Sequence, residues 1–168
     1  IAYYNSPYIE YVLSIFMFIS GINFIVMLTF LKGKYKKVMA DSELKFYAAC
    51  VGLFTLFIAV VLFFSTQMDA ETAFRTSLFQ VISIQTSTGF ITSDYMTWPA
   101  VAWGIMPILM LIGACAGSTA GGMKCIRLVI LGKSTKAEFK RLLHPNAVLP
   151  VRANNQIIAP TLRFTVMA

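Results

Sequence analysis

The sequence predicts an all-α integral membrane fold in which a spanning helix is followed by a short re-entrant helix and then by a broken helix. Three observations lead there. The 168 residues are 58% hydrophobic and only 12% charged, with a mean hydropathy of +0.73, whereas soluble domains carry about 25% charged residues. Three long uncharged runs divide the chain, and its Lys and Arg residues fall in the gaps between them. Between the second and third runs lies an amphipathic stretch that ends in a polar segment too irregular to face lipid.

The first run, between Glu10 and Lys32, has 21 residues and the second, between Lys45 and Asp69, has 23. Each is long enough as a helix to cross a hydrocarbon core of about 30 Å, so both read as spanning helices. The third run, 95–123, has 29 residues, which as one straight helix would measure about 44 Å. It must tilt, kink or break. Lys32, Lys34, Lys36 and Lys37 follow the first run and Lys45 opens the second helix, which places that side in the cytoplasm. The stretch 69–94 holds Arg75 against Asp69, Glu71 and Asp94 and reads as external. Lys124, Arg127, Lys133, Lys136, Lys140 and Arg141 return the chain to the inside.

The segment 70–98 therefore begins and ends on the outer side. It nevertheless carries a helical apolar pattern at Ala73, Leu78, Phe79, Val81 and Ile82. It reads as a re-entrant helix over about 71–84, with Asp69 or Glu71 serving its N-terminus, followed by a polar loop at 85–93. Such backbone persists at membrane depth only inside protein or beside water. The chain opens on Ile1 rather than Met and reads as an internal fragment. Its expected divisions are residues 1–40, the closing helix of a preceding unit with a cytoplasmic loop; 41–143, one complete helix-pore-helix repeat; and 144–168, a cytoplasmic linker and the start of the next repeat.

Several classes are set aside by composition and spacing. The net charge of +7 does not form a basic stripe interleaved with aromatics, so no nucleic acid is expected. Cys50, Cys115 and Cys125 have neither the count nor the spacing of a disulfide or zinc framework and read as small buried residues. His144 has no second ligand near it, so no metal is expected apart from a transported ion. No Ser-His-Asp set or paired carboxylates are legible, no ionisable residue falls within a predicted span, and no enzyme or cofactor is expected.

The polar loop reads Gln85, Thr86, Ser87, Thr88, Gly89, Phe90, Ile91, Thr92. A dehydrated potassium ion must regain oxygen ligands, and a run of backbone carbonyls with Ser and Thr hydroxyls supplies them without burying a full negative charge. Gly89 allows dihedrals closed to other residues, and the re-entrant helix aims the negative end of its dipole at the same place. The filter residues are therefore Thr86, Ser87, Thr88, Gly89 and Phe90. Taken alone, the same residues would suit a polar turn in a hairpin.

In the middle of the third run, ten small residues from 113 to 122 include four glycines, and each Gly weakens a helix by about 1 kcal/mol relative to Ala. We read an irregular intramembrane loop just below the filter, able to obstruct or admit ions, formed by Gly113, Gly117, Ser118, Thr119, Gly121, Gly122 and Lys124. A competing reading uses Gly113, Gly117 and Gly121 as two successive GxxxG spacings for close helix packing. Lys124 and Arg127 can also simply mark the cytoplasmic boundary.

These segments, with Asn23-Phe24 in the first run and the trailing His144-Pro145-Asn146-Ala147-Val148 and Pro150-Val151-Arg152, resemble the potassium-uptake membrane subunits of the Trk and Ktr systems, which are related to fungal Trk and plant HKT transporters. The resemblance implies four linked helix-pore-helix repeats around one potassium-channel-like pore, each giving one Gly-centred filter strand. This chain would hold the end of repeat two, all of repeat three and the approach to repeat four. Ser87, Thr88 and Gly89 would then carry potassium ligands, and residues 117–122 the gate. It further implies a multi-pass protein of the inner (plasma) membrane in contact with lipid, a homodimer and a cytosolic nucleotide-binding regulatory subunit. Ala120 departs from the glycine usual in the bacterial family and implies a stiffer loop. The alternatives are an HKT-like carrier of sodium and potassium, and a membrane scaffold that transports nothing.

Overall fold

The computed structural model describes Tyr3, residues 6–143 and the short strands at 152–153 and 156–157. Among the described residues seven α-helices run in order: α1 Pro7–Ser20, α2 Phe24–Leu31, α3 Tyr35–Ala40, α4 Ser42–Thr66, α5 Ala70–Gln85, α6 Ala100–Leu111 and α7 Cys125–Leu143. A 3-10 turn at Tyr95–Thr97 precedes α6, and Arg152–Ala153 pairs antiparallel with Gln156–Ile157. His144 and residues 145–150 lie outside the described residues, as does most of the segment expected to begin the next repeat.

The first uncharged run is not one straight span. It divides into α1 and α2, which meet at 106°. The break has a local and a tertiary cause. Asn23 caps α2 by accepting the N–H of Ile25 at 2.8 Å, the preference of Asn for a helix N-terminus. A side chain at Gly21 would run into the Tyr47 phenol and the Ala114 methyl, and the Gly21 carbonyl accepts the N–H of Cys115 at 3.1 Å. The helix also starts earlier than the charge pattern indicated, at Pro7, whose missing N–H costs nothing in a first turn.

Helix α4 is the only helix among the described residues that is long and apolar enough to cross a bilayer unaided. Asp41 caps it, accepting the N–H groups of Glu43 and Leu44 at 2.9 Å each, so the helix begins three residues before Lys45 and includes Glu43. Gln67 closes it in a left-handed conformation, and α5 turns back along it. Phe79 and Ile82 of α5 pack with Tyr47 and Val51 near the start of α4, while Ala73 packs with Ile58 and Leu62 further along. The two helices are therefore antiparallel, as a re-entrant segment requires.

Helix α5 is the centre of the fold. One face joins Met17 of α1 and Ala114, Cys115 and Ala120 in a first core. Another, through Ala73, Val81 and Ile84, joins Trp98, Ala102, Met106 and Leu109 in a second. This helix buries Thr76, Ser77, Gln80, Ser83 and Gln85, a polar load that only a surround of protein makes tolerable. Its outer end is fixed to α1 by Arg75, which pairs with Glu10 at 3.4 Å and Glu71 at 3.3 Å. Tyr11 donates its hydroxyl to Glu71 at 3.1 Å.

Candidate functional site

The segment after α5 folds back onto the end of that helix. Thr86 N–H donates to the Ile82 carbonyl at 2.9 Å, Ser87 N–H to Ile84 at 3.0 Å, and Thr88 and Gly89 N–H both to Ser83 at 2.9 and 3.3 Å. The carbonyls left over at a helix C-terminus are thus taken up by the amides of residues 86–89. In a trans peptide the N–H and the preceding C=O point in opposite directions, and no cis peptide occurs among the described residues. Turning the amides of Ser87, Thr88 and Gly89 toward α5 therefore turns the carbonyls of Thr86, Ser87 and Thr88 away from it.

Two positions have positive φ, Ser87 at 58° and Gly89 at 75°. For Gly89 this conformation is free of steric penalty, and space is not the issue, since an added Cβ would meet nothing within 4 Å. The Thr86 hydroxyl donates to the Ile82 carbonyl at 2.7 Å and lies 2.8 Å from the Thr88 hydroxyl. The Ser83 hydroxyl donates to the Phe90 carbonyl at 2.7 Å. Ser83, buried two residues before the end of α5, thus binds residues 88, 89 and 90 at once. Nothing in its sequence position separates it from the other polar residues of that helix.

Residues 112–124 are not helical, so Gly113, Gly117 and Gly121 do not form a helical GxxxG face. The loop has a closed neck. Met123 N–H donates to Leu111 at 2.9 Å, Gly113 N–H to Met123 at 3.0 Å, and Cys125 N–H to Ala114 at 3.1 Å. The Cys125 thiol donates to the Gly113 carbonyl at 3.0 Å. Gly122, at φ 73°, and Gly113 sit back to back in this neck: a Cβ on Gly122 would lie 2.8 Å from the Met110 carbonyl, and one on Gly113 would strike the Gly121 carbonyl. Cys50, Cys115 and Cys125 are free and buried.

Beyond the neck the loop is tied internally. Lys124 Nζ donates to the Ala120 carbonyl and to Ser118 at 3.5 Å, so this lysine staples the loop as well as marking the basic side. Ala120 is buried in the first core, a position where a methyl adds contact that a glycine would lack. Ser118 donates its hydroxyl to Cys115 at 2.6 Å, while Gly117, with φ 70°, and Thr119 are exposed. The segment after α5 and this loop meet directly: Gly121 N–H donates to the Ser87 hydroxyl oxygen at 3.1 Å.

One residue of this neighbourhood escaped the sequence reading. Glu43 is buried, and one carboxylate oxygen accepts the N–H groups of Ala116 at 2.5 Å and Ile126 at 3.1 Å. Its signal was an acid placed among Lys32, Lys34, Lys36, Lys37 and Lys45 just ahead of an apolar span, where Asp41 alone suffices as a cap.

The family model described as TrkH, cation transport protein, matches residues 1–167. The chain is 36% identical over 164 residues to the Trk system potassium uptake protein TrkH of Salmonella typhimurium, covering 94% of this chain and 33% of that protein. It is 32% identical over 163 residues to TrkG of Escherichia coli, with 94% and 33% covered. The crystal structure of the potassium transporter TrkH from Vibrio parahaemolyticus superposes with a TM-score of 0.89 at 31% identity, covering 99% of this chain and 36% of that one. The chain thus spans about one third of the length of the relatives it matches, and its helix-pore-helix arrangement is theirs. With the family model extending over nearly every residue and a solved relative sharing the fold, this chain belongs to the TrkH family of cation transport proteins.

Proposed function

We propose that residues 41–143 form one repeat of a potassium uptake pore, in which residues 86–90 are one filter strand and residues 113–124 the gate beneath it. The observation that carries this reading is the outward turn of the Thr86, Ser87 and Thr88 carbonyls, enforced by amides bonded to the end of α5. Ser87 and Gly89 are exposed at that surface, where three further strands would complete the ring of oxygens a potassium ion needs. The relatives are named as potassium uptake proteins of a Trk system, which favours potassium as substrate and an assembly of several components. We take the complete protein to be a multi-pass protein of the inner membrane, homodimeric and paired with a cytosolic nucleotide-binding regulatory subunit.

The complete protein carrying this chain restores growth of a potassium-uptake-deficient cell on limiting potassium. Gly89→Arg, with a bulky cation at the filter surface, abolishes that growth and the associated rubidium uptake while the protein still reaches the membrane. Normal uptake by the variant sinks the filter reading.

A further inference from the structure

The inner end of α4 carries a carboxylate for which ion passage through the filter has no use. Glu43 is 5% exposed, and burying a carboxylate is costly unless hydrogen bonds replace its water. Two backbone amides do so, both on the same oxygen: Ala116 N–H, just past the point where the chain enters the loop, and Ile126 N–H, just past the point where it leaves. Ile126 is the second residue of α7, so its amide is one of the donors that a helix start leaves without an intrahelical acceptor, and a negative charge is favoured there. One side chain on a capped, membrane-crossing helix therefore holds both ends of the intramembrane loop.

The loop's other ties differ in kind. The neck bonds between Leu111, Gly113 and Ala114 and Met123 and Cys125 join the loop to itself, as do those of Lys124. Among the described residues, bonds that join it to the rest of the fold include those of Glu43, of Gly21 with Cys115, and of Ser87 with Gly121. Among these, only Glu43 brings a formal charge, and bonds to a charged acceptor are roughly twice as strong as neutral ones.

We propose that Glu43 is the clasp that sets the resting position of the intramembrane loop, a positioning residue that acts through the backbone at 116 and 126 and touches no ion. Its bearing on transport rests on the gate reading above, so the test reads loop position and flux separately. In the complete protein, a cysteine is placed at the exposed Thr119. Its modification rate by a small methanethiosulfonate reagent is measured from the cytoplasmic side, beside potassium flux in proteoliposomes. Glu43→Ala accelerates modification by about a hundred-fold or more, the loss of two charge-assisted bonds. Glu43→Gln, which keeps an acceptor oxygen in place, is slower to react than Glu43→Asp, whose shorter side chain cannot span both amides. If Glu43→Ala fails to accumulate, the order of Asp and Gln carries the test. Potassium-over-sodium selectivity stays at the parental value, because the filter's bonds to α5 do not involve Glu43. An unchanged rate at position 119 overturns the clasp, as does acceleration accompanied by lost selectivity and reaction of the buried Cys115 and Cys125. Faster modification with unchanged flux upholds the clasp and removes the gate reading alone.

Discussion

The hydroxyl oxygen of Ser87 accepts the N–H of Gly121 at 3.1 Å, joining two segments 34 residues apart in the chain. Ser87 reaches this position in a left-handed conformation, φ 58°, which costs a residue with a Cβ roughly 1–2 kcal/mol. The strand after α5 and the loop at 112–124 therefore do not move independently. Displacing residue 121 either breaks this bond or pulls on the strand whose carbonyls face outward.

Removing that bond should loosen the loop. Ser87→Gly relieves the backbone strain and deletes the hydroxyl, whereas Ser87→Ala deletes the hydroxyl and keeps the strain. A neutral hydrogen bond contributes about 1 kcal/mol net, so either variant shifts the balance toward the displaced loop by about five-fold. Single-channel open probability of the reconstituted protein measures the shift. The Gly variant should be the better folded of the two in thermal denaturation.

Gly89 has room for a side chain but the wrong backbone angle for one, at φ 75°. The damage from substitution should follow left-handed propensity rather than volume. Gly89→Asn retains more rubidium uptake than Gly89→Ala, and Gly89→Val retains least, since Asn tolerates this region and β-branched residues do not. An order set by side-chain volume would contradict the assignment.

Gly113 in the loop and Gly132 in α7 should behave oppositely. Gly113→Ala drives a methyl into the Gly121 carbonyl and forces the neck open, whereas Gly132→Ala in α7 meets nothing within 4 Å. The first lowers the melting temperature of the purified protein. The second raises it or leaves it alone, by up to about 1 kcal/mol from helix propensity.

Arg75 should prove structural. Its guanidinium, 11% exposed, joins α5 to Glu10 of α1, itself buried. Glu10→Ala leaves a buried cation short of one partner and destabilises the protein by about 3 kcal/mol. The double change Glu10→Leu with Arg75→Leu costs less than the sum of the single ones. A double-mutant cycle by thermal unfolding in detergent checks both statements.

The order of elements was legible because lipid imposes a simple test on sequence. A run without charge must cross, a polar irregular stretch must be shielded, and lysines must stay on the wet side. That reasoning located α4, the re-entrant α5 with the polar segment after it and the break between α6 and α7. It took the first run as one continuous helix, since a charge count sees 21 uncharged residues and not the Tyr47 phenol and Ala114 methyl that crowd Gly21 where the chain turns through 106°.

What the sequence determined by itself is the order of apolar helices and polar irregular segments, together with the residue types of the strand after α5, because these depend on hydropathy and local backbone freedom. What only the tertiary structure decided is which groups meet. Ser87 with Gly121, Ser83 with Phe90, Arg75 with Glu10, and Glu43 with both ends of the loop are contacts between segments up to 83 residues apart. Hydrogen bonds depend on distance and direction in space, and a linear pattern of hydrophobicity carries neither until the helices have packed.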